Sequence, residues 1–206
     1  MYLKKSEAND LLQSNFQALV TSLQAKNHLI ADLSDGDDWS FVIKVQTLIE
    51  RAVTDALLYK IGNHGLSKTL LAMPLVGESV SKLSLSKDLD ITTSAQRRFI
   101  TTMASLRNRL AHDPDYGTFN FDSYIVNLTV EQKAGWKRSI PWFAVSPDSM
   151  QTWSEHALSS PKAVIYVATF MLVGLMELSA TEASVLRQVE ELSVATTTEL
   201  LRGRVD

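Results

Sequence analysis

Apolar residues recur every three or four positions along most of this chain, a period that a helix can bury on one face and a strand cannot. From Asp38 to Ile61 the stripe is Phe41, Val45, Leu48, Ala52 and Ala56, and over residues 94–112 it is Phe99, Met103, Leu106 and Leu110. The same spacing of Leu12, Phe16, Leu19, Val20 and Leu23 predicts a first helix over residues 6–33, with Ser6 as its N-cap. An apolar helix from Pro161 to Leu178 and an amphipathic one from about Thr181 to Leu201 close the chain. The expected fold is mostly α: a helical bundle in a single domain over residues 1–206, its central part at about 38–125 and its C-terminal helices at about 161–202.

Breakers divide these helices. An acidic turn around Gly36 precedes the second helix, which Asp38 is positioned to cap; the turn lacks the ligand spacing and distal glutamate of a calcium loop. Gly62-Asn63-His64-Gly65 ends that helix, and a less regular helical region follows to about Leu85, interrupted near Pro74 and Gly77. Thr92 or Thr93 caps the next helix. Pro114 disfavours helical backbone at Asp113, so this helix stops at Ala111 or His112. Between Pro114 and Pro147, Gly117, Gly135 and Pro141 break helices while Tyr124–Val130 and Trp142–Val145 are rich in strand formers. That composition predicts a small hairpin or an ordered irregular insertion.

Composition limits the chemistry. The 206 residues contain no cysteine, so disulfides, thiol nucleophiles and cysteine-rich zinc sites are excluded. Four scattered histidines suggest no metal cluster, and no cofactor is implied. The N-terminus turns polar at once, unlike a signal peptide, and the apolar run Ala163–Met176 is short of the ~20 residues of a membrane span, so a cytoplasmic location without membrane attachment is expected. With a net charge of −3, the protein has no general basic field to coat nucleic acid, and any such site must be local.

One local site stands out. The helix over 94–112 gathers Arg97, Arg98, Thr101, Thr102, Ser105, Asn108, Arg109 and His112 opposite its apolar stripe, and no acidic residue occurs between Asp90 and Asp113. Arg107-Asn108-x-x-x-His112 lies at its C-terminal end. There the last carbonyls favour a cation, a placement that suits a histidine acting as general acid on an RNA leaving oxygen. Arginine supplies a permanently charged fork for phosphoryl oxygens. On an ideal helix, however, Arg107 is about 140° from His112, and Arg109 is the closer neighbour. Arg107 and His112 converge if the last turn unwinds or if a second chain completes the site. The bare pair says little in a chain with nine arginines and four histidines. Asn108 after the arginine, the small Ala111 before the histidine and the helix-end position narrow it.

These residues resemble the motif of the HEPN superfamily, small helical-bundle proteins that commonly dimerise and whose active members are metal-independent ribonucleases of toxin-antitoxin and phage-defence systems. The resemblance implies that Arg107 and His112 are catalytic with Asn108 beside them, that RNA is the substrate, and that an antitoxin or regulatory protein is a possible partner. Arg109, Arg98, Arg97 and Ser105 on the same helix would bind RNA. Over roughly residues 38–125 the layout is also similar to the mannitol operon repressor group, non-catalytic helical proteins related to HEPN domains, which implies a regulatory alternative.

Structural roles stay open beside these. His112 can simply end its helix while Arg107 and Arg109 pair with carboxylates. Trp136-Lys137-Arg138 and Trp142 either clamp unpaired bases or pack a loop onto the core. Glu50 and Asp55 either approach the motif or line a solvated helix face.

Overall fold

A computed structural model describes residues 10–11, 13–22, 24, 33, 36–77, 79–112 and 119–202. Its elements are α1 (Asp38–Ile61), a 3-10 turn (His64–Leu66), α2 (Ser67–Ala72), α3 (Lys82–Asp88), α4 (Ser94–Ala111), α5 (Phe121–Asn127), α6 (Val130–Ser139), α7 (Pro147–Ser159) and α8 (Pro161–Arg202). No strand occurs among the described residues. Residues 13–22 form part of the expected first helix, but Phe16 is exposed, and Ser6, Leu12 and Leu23 lie outside the described residues.

Helix α1 is the axis of the bundle. Phe41, Val42, Val45, Ile49, Ala52, Val53, Ala56 and Leu57 are all buried, more than a single stripe supplies, because α1 packs against α2, α3, α4 and α8 together. Its contact with α8 is the most extensive in the molecule. From α8, Val164, Ile165, Ala168, Leu172, Val173 and Met176 are buried. The remaining helices close around this pair through α4–α6, α6–α7 and α7–α8 contacts.

Local chemistry explains most of the boundaries. Asp37, rather than Asp38, caps α1: its carboxylate accepts from the Ser40 N–H at 2.8 Å and the Ser40 hydroxyl at 2.9 Å, and these bonds hold its pKa below the usual carboxylate range. Asp38 instead accepts from the Phe121 N–H at 2.9 Å and pairs with Lys162 at 3.3 Å, fastening the starts of α1, α5 and α8 to one another. Gly62 ends α1 with φ of 71°, and its N–H donates to the Leu58 carbonyl. Thr93 caps α4 in a capping box with Gln96, while the Thr92 hydroxyl lies 2.8 Å from that of Ser86.

The expected hairpin is corrected to helices. Phe121–Asn127 and Val130–Ser139 are α-helical because Asn120 caps the first, Thr129 and Gln132 form a capping box for the second, and Phe121, Ile125 and Trp136 are buried on one side. Residues 141–143 form a turn. Helix α7, absent from the sequence expectation, begins at a Ser146/Ser149 capping box with Pro147 at its first position. The two closing helices form one helix of 42 residues. Gly174 does not break it, and no proline interrupts it. By length and composition, Pro161–Glu199 is long and apolar enough to cross a membrane; one side of it is buried against α1, while Phe170, Met171, Leu175 and Leu178 are exposed.

Lys82, 1% exposed, places Nζ 2.6 Å from Glu50 Oε1 and thereby ties α3 to α1. Truncating Glu50 leaves that ammonium buried without its carboxylate. Because Glu50 is itself 42% exposed, water softens the loss. Glu50→Ala is expected to lower stability by about 1–3 kcal/mol, and adding Lys82→Met to recover most of it, in urea denaturation of the two single variants and the double variant. A silent Glu50→Ala would show that the pair contributes nothing.

Candidate nucleic-acid interface

Phe99, Ile100, Met103, Leu106 and Leu110 are buried on α4, so its polar face turns outward. Arg98, Ser105, Arg107, Asn108, Arg109 and His112 are exposed, and Arg97 is half-buried. The helix remains regular through Ala111, and His112 is its C-cap with φ of −106° and ψ of 0°, its N–H donating to the Arg109 carbonyl at 3.2 Å. The last turn therefore does not unwind before the histidine. Arg107 donates to Asn108 Oδ1 at 3.2 Å, and no hydrogen bond or ion pair joins Arg107 to His112 among the described residues. On this regular helix Arg109 lies about 60° from His112.

A second helix forms a wall opposite this face. The Trp136 indole N–H donates to the Ala157 carbonyl at 2.8 Å, and the Ser154 hydroxyl donates to the Lys137 carbonyl at 3.1 Å, locking α6 to α7. Trp136 is buried and Trp142 packs against Phe99, with ring centroids 6.5 Å apart, so both tryptophans serve the core. Edge-to-face contacts run from Phe41 to Phe121, Phe119, Tyr124 and Trp136 at centroid separations of 5.2–6.0 Å and set the position of Tyr124. Arg109 lies over the Tyr124 ring, 5.7 Å from its centroid.

Between α4 and α6 lie two adjoining hollows, of about 430 Å³ and 250 Å³, that share Thr101, Thr102 and Ser139. Arg97, Arg98 and Arg138 border the larger, and Arg109, Tyr124 and Gly135 the smaller. The Arg97 guanidinium donates to the Thr92 carbonyl, and none of these four arginines pairs with a carboxylate among the described residues. Glu50 is engaged by Lys82, and Asp55 stands 3.9 Å from Arg51, so both are accounted for on α1. No group of three or more His, Asp or Glu side chains suited to a metal ion occurs among the described residues.

The sequence-predicted residues thus divide. Arg97, Arg98, Ser105 and Arg109 share the groove with Arg138 from α6, while Arg107, Asn108 and His112 line neither hollow and His112 caps the C-terminal end of α4. Arg138 and Gly135 from α6 and Tyr124 from α5 join the site through tertiary packing, which sequence spacing does not encode. No family model, curated protein or solved structure matches the chain.

Burial raises the pKa of the Tyr124 phenol, and the Arg109 charge opposes the shift by stabilising the phenolate. Arg109→Gln should therefore raise it further. The expected outcome is a Tyr124 resonance that titrates at higher pH in the variant, measured by NMR of ring-labelled protein with Tyr124→Phe for assignment. An unchanged titration would separate the guanidinium from the ring.

Proposed function

We propose that the protein is a metal-independent endoribonuclease of HEPN-like type, working in the cytoplasm as a homodimer, in a toxin or phage-defence role. The observation that carries this reading is the Arg107-Asn108-x-x-x-His112 motif, exposed at the end of a helix whose arginines have no carboxylate partners among the described residues. In the proposed reaction an RNA 2′-hydroxyl attacks the adjacent phosphorus. The new P–O2′ bond forms as the P–O5′ bond breaks, giving a 2′,3′-cyclic phosphate and a 5′-hydroxyl. The attacking hydroxyl passes its proton to solvent water, and His112 delivers one to the leaving O5′. Arginine stabilises the charge that grows on the phosphoryl oxygens.

The helix geometry favours Arg109 for that task within one chain. Arg107 shares a centre with a histidine only when a second copy packs against the motif-bearing surface, so the dimer reading assigns Arg107 to a composite cleft. A second reading is a non-catalytic interaction protein similar to the mannitol operon repressor group. The exposed Phe170, Met171 and Leu178 on α8 favour it, as an apolar face suited to a protein partner.

Wild type and His112→Ala, incubated with mixed RNA in excess EDTA, distinguish the two. Nuclease action predicts cyclic-phosphate ends and a loss of about 10²–10⁴-fold in rate for the variant. If folded wild type and variant leave the same RNA intact, the weight moves to the interaction reading.

A further inference from the structure

We propose that the groove between α4 and α6 is a binding track for single-stranded RNA that delivers the strand to the His112 end of α4, an inference that rests on the ribonuclease reading above. The track is built from two elements distant in sequence. Arg98 and Arg109 are eleven positions apart on α4, about 16 Å along its axis, room for a few nucleotides of an extended strand. Arg138 faces the larger hollow from the α6 side, and hydroxyls from both helices lie between the charges. In a protein whose 23 acidic residues outnumber its 20 basic ones, these arginines stand without carboxylate partners among the described residues. Unneutralised guanidinium groups in a groove are the arrangement that a polynucleotide backbone repays through counterion release.

The form of the groove selects the strand. Hollows of about 430 Å³ and 250 Å³ that share Thr101, Thr102 and Ser139 make one continuous depression between neighbouring helices, lined so as to reward a strand whose bases are unpaired and free to turn inward. Tyr124, with Arg109 over its ring, gives the narrower end an aromatic and guanidinium pair on which an unpaired base can stack. Gly135 opens the wall at that end: a Cβ built there meets nothing within 4 Å. A larger side chain at this position therefore enters the groove without disturbing the core.

The test uses a fluorescein-labelled 2′-O-methyl RNA of about 12 nucleotides, which binds but offers no attacking hydroxyl, in EDTA over a range of salt. Binding of the single strand is expected to exceed that of the same sequence as a duplex by at least about tenfold. Arg98→Gln with Arg138→Gln should lower the salt slope by about 1.4, two contacts at roughly 0.7 each, and weaken binding by about tenfold or more. Gly135→Glu should weaken it similarly, and the charge-matched control Arg51→Gln on α1 should not. Thermal melting verifies that each variant is folded. Equal affinity for duplex and single strand, or groove variants that bind as wild type does, would overturn the track. Stronger competition by unlabelled DNA than by RNA of the same sequence would overturn the RNA assignment.

Unmodified RNA separates this inference from the reaction. Groove-dependent binding without cleavage keeps the track and removes the nuclease. Cleavage that groove variants perform at wild-type kcat/KM keeps the nuclease and removes the track.

Discussion

The burial of α1 is the constraint on which the rest of the structure depends. A helix covered on most sides keeps only a narrow solvent stripe, here Lys44, Thr47 and Arg51, so its neighbours must each present an apolar surface inward and are left with one outward surface. Helix α8 meets this demand with Val164, Ile165, Ala168, Leu172, Val173 and Met176, and α4 meets it with Phe99, Ile100, Met103 and Leu106. The polar face of α4 is therefore outward by necessity. The direction in which its arginines point is a consequence of what α1 must bury, and the position of the candidate site follows from the same packing.

Much of this was legible in sequence because it is encoded locally. The stripes on α1 and α4, the left-handed stop at Gly62, the Thr93 cap and the halt before Pro114 each rest on residues within a few positions of one another. The failures have two causes. In 121–139, the strand formers of Tyr124–Val130 predict a hairpin, whereas the Asn120 and Thr129 caps and the burial of Phe121, Ile125 and Trp136 decide for helix. In 161–202, the change from apolar to amphipathic character after Leu178 predicts two helices where the structure has one. A helix supported along its length by α1 and, further on, by the N-terminal stretch through Asn15 to Gln188 at 3.0 Å and Ser22 to Glu177 has no reason to break.

The site divides along the same line. Arg107, Asn108, Arg109 and His112 lie on one helix and were visible together, as was the absence of acid around them. Their partners were visible only in part: Arg138 stands out in sequence beside Trp136 and Lys137, but its place opposite Arg97 and Arg98 does not, and Gly135 reads as a helix breaker although it lies within a helix that lines the groove. Tyr124 becomes a site residue through a run of aromatic contacts that begins at Phe41, more than eighty positions earlier. No spacing rule reaches that far.

The two arginines of the motif region carry different structural meanings. Arg109 faces the groove, stacks on Tyr124 and lies on the His112 side of a helix that stays regular to Ala111. Its charge lies over Tyr124, on a helix face about 60° from that of the histidine. Arg107 sits about 140° away and holds Asn108, so a role for it beside a histidine needs a second molecule. An exposed arginine on the flank of a buried stripe loses little by waiting for that partner, since water solvates it meanwhile. The chemistry proposed for the monomer and for the dimer thus differ in which arginine meets the phosphate. The regular last turn of α4 is what makes that difference one of geometry.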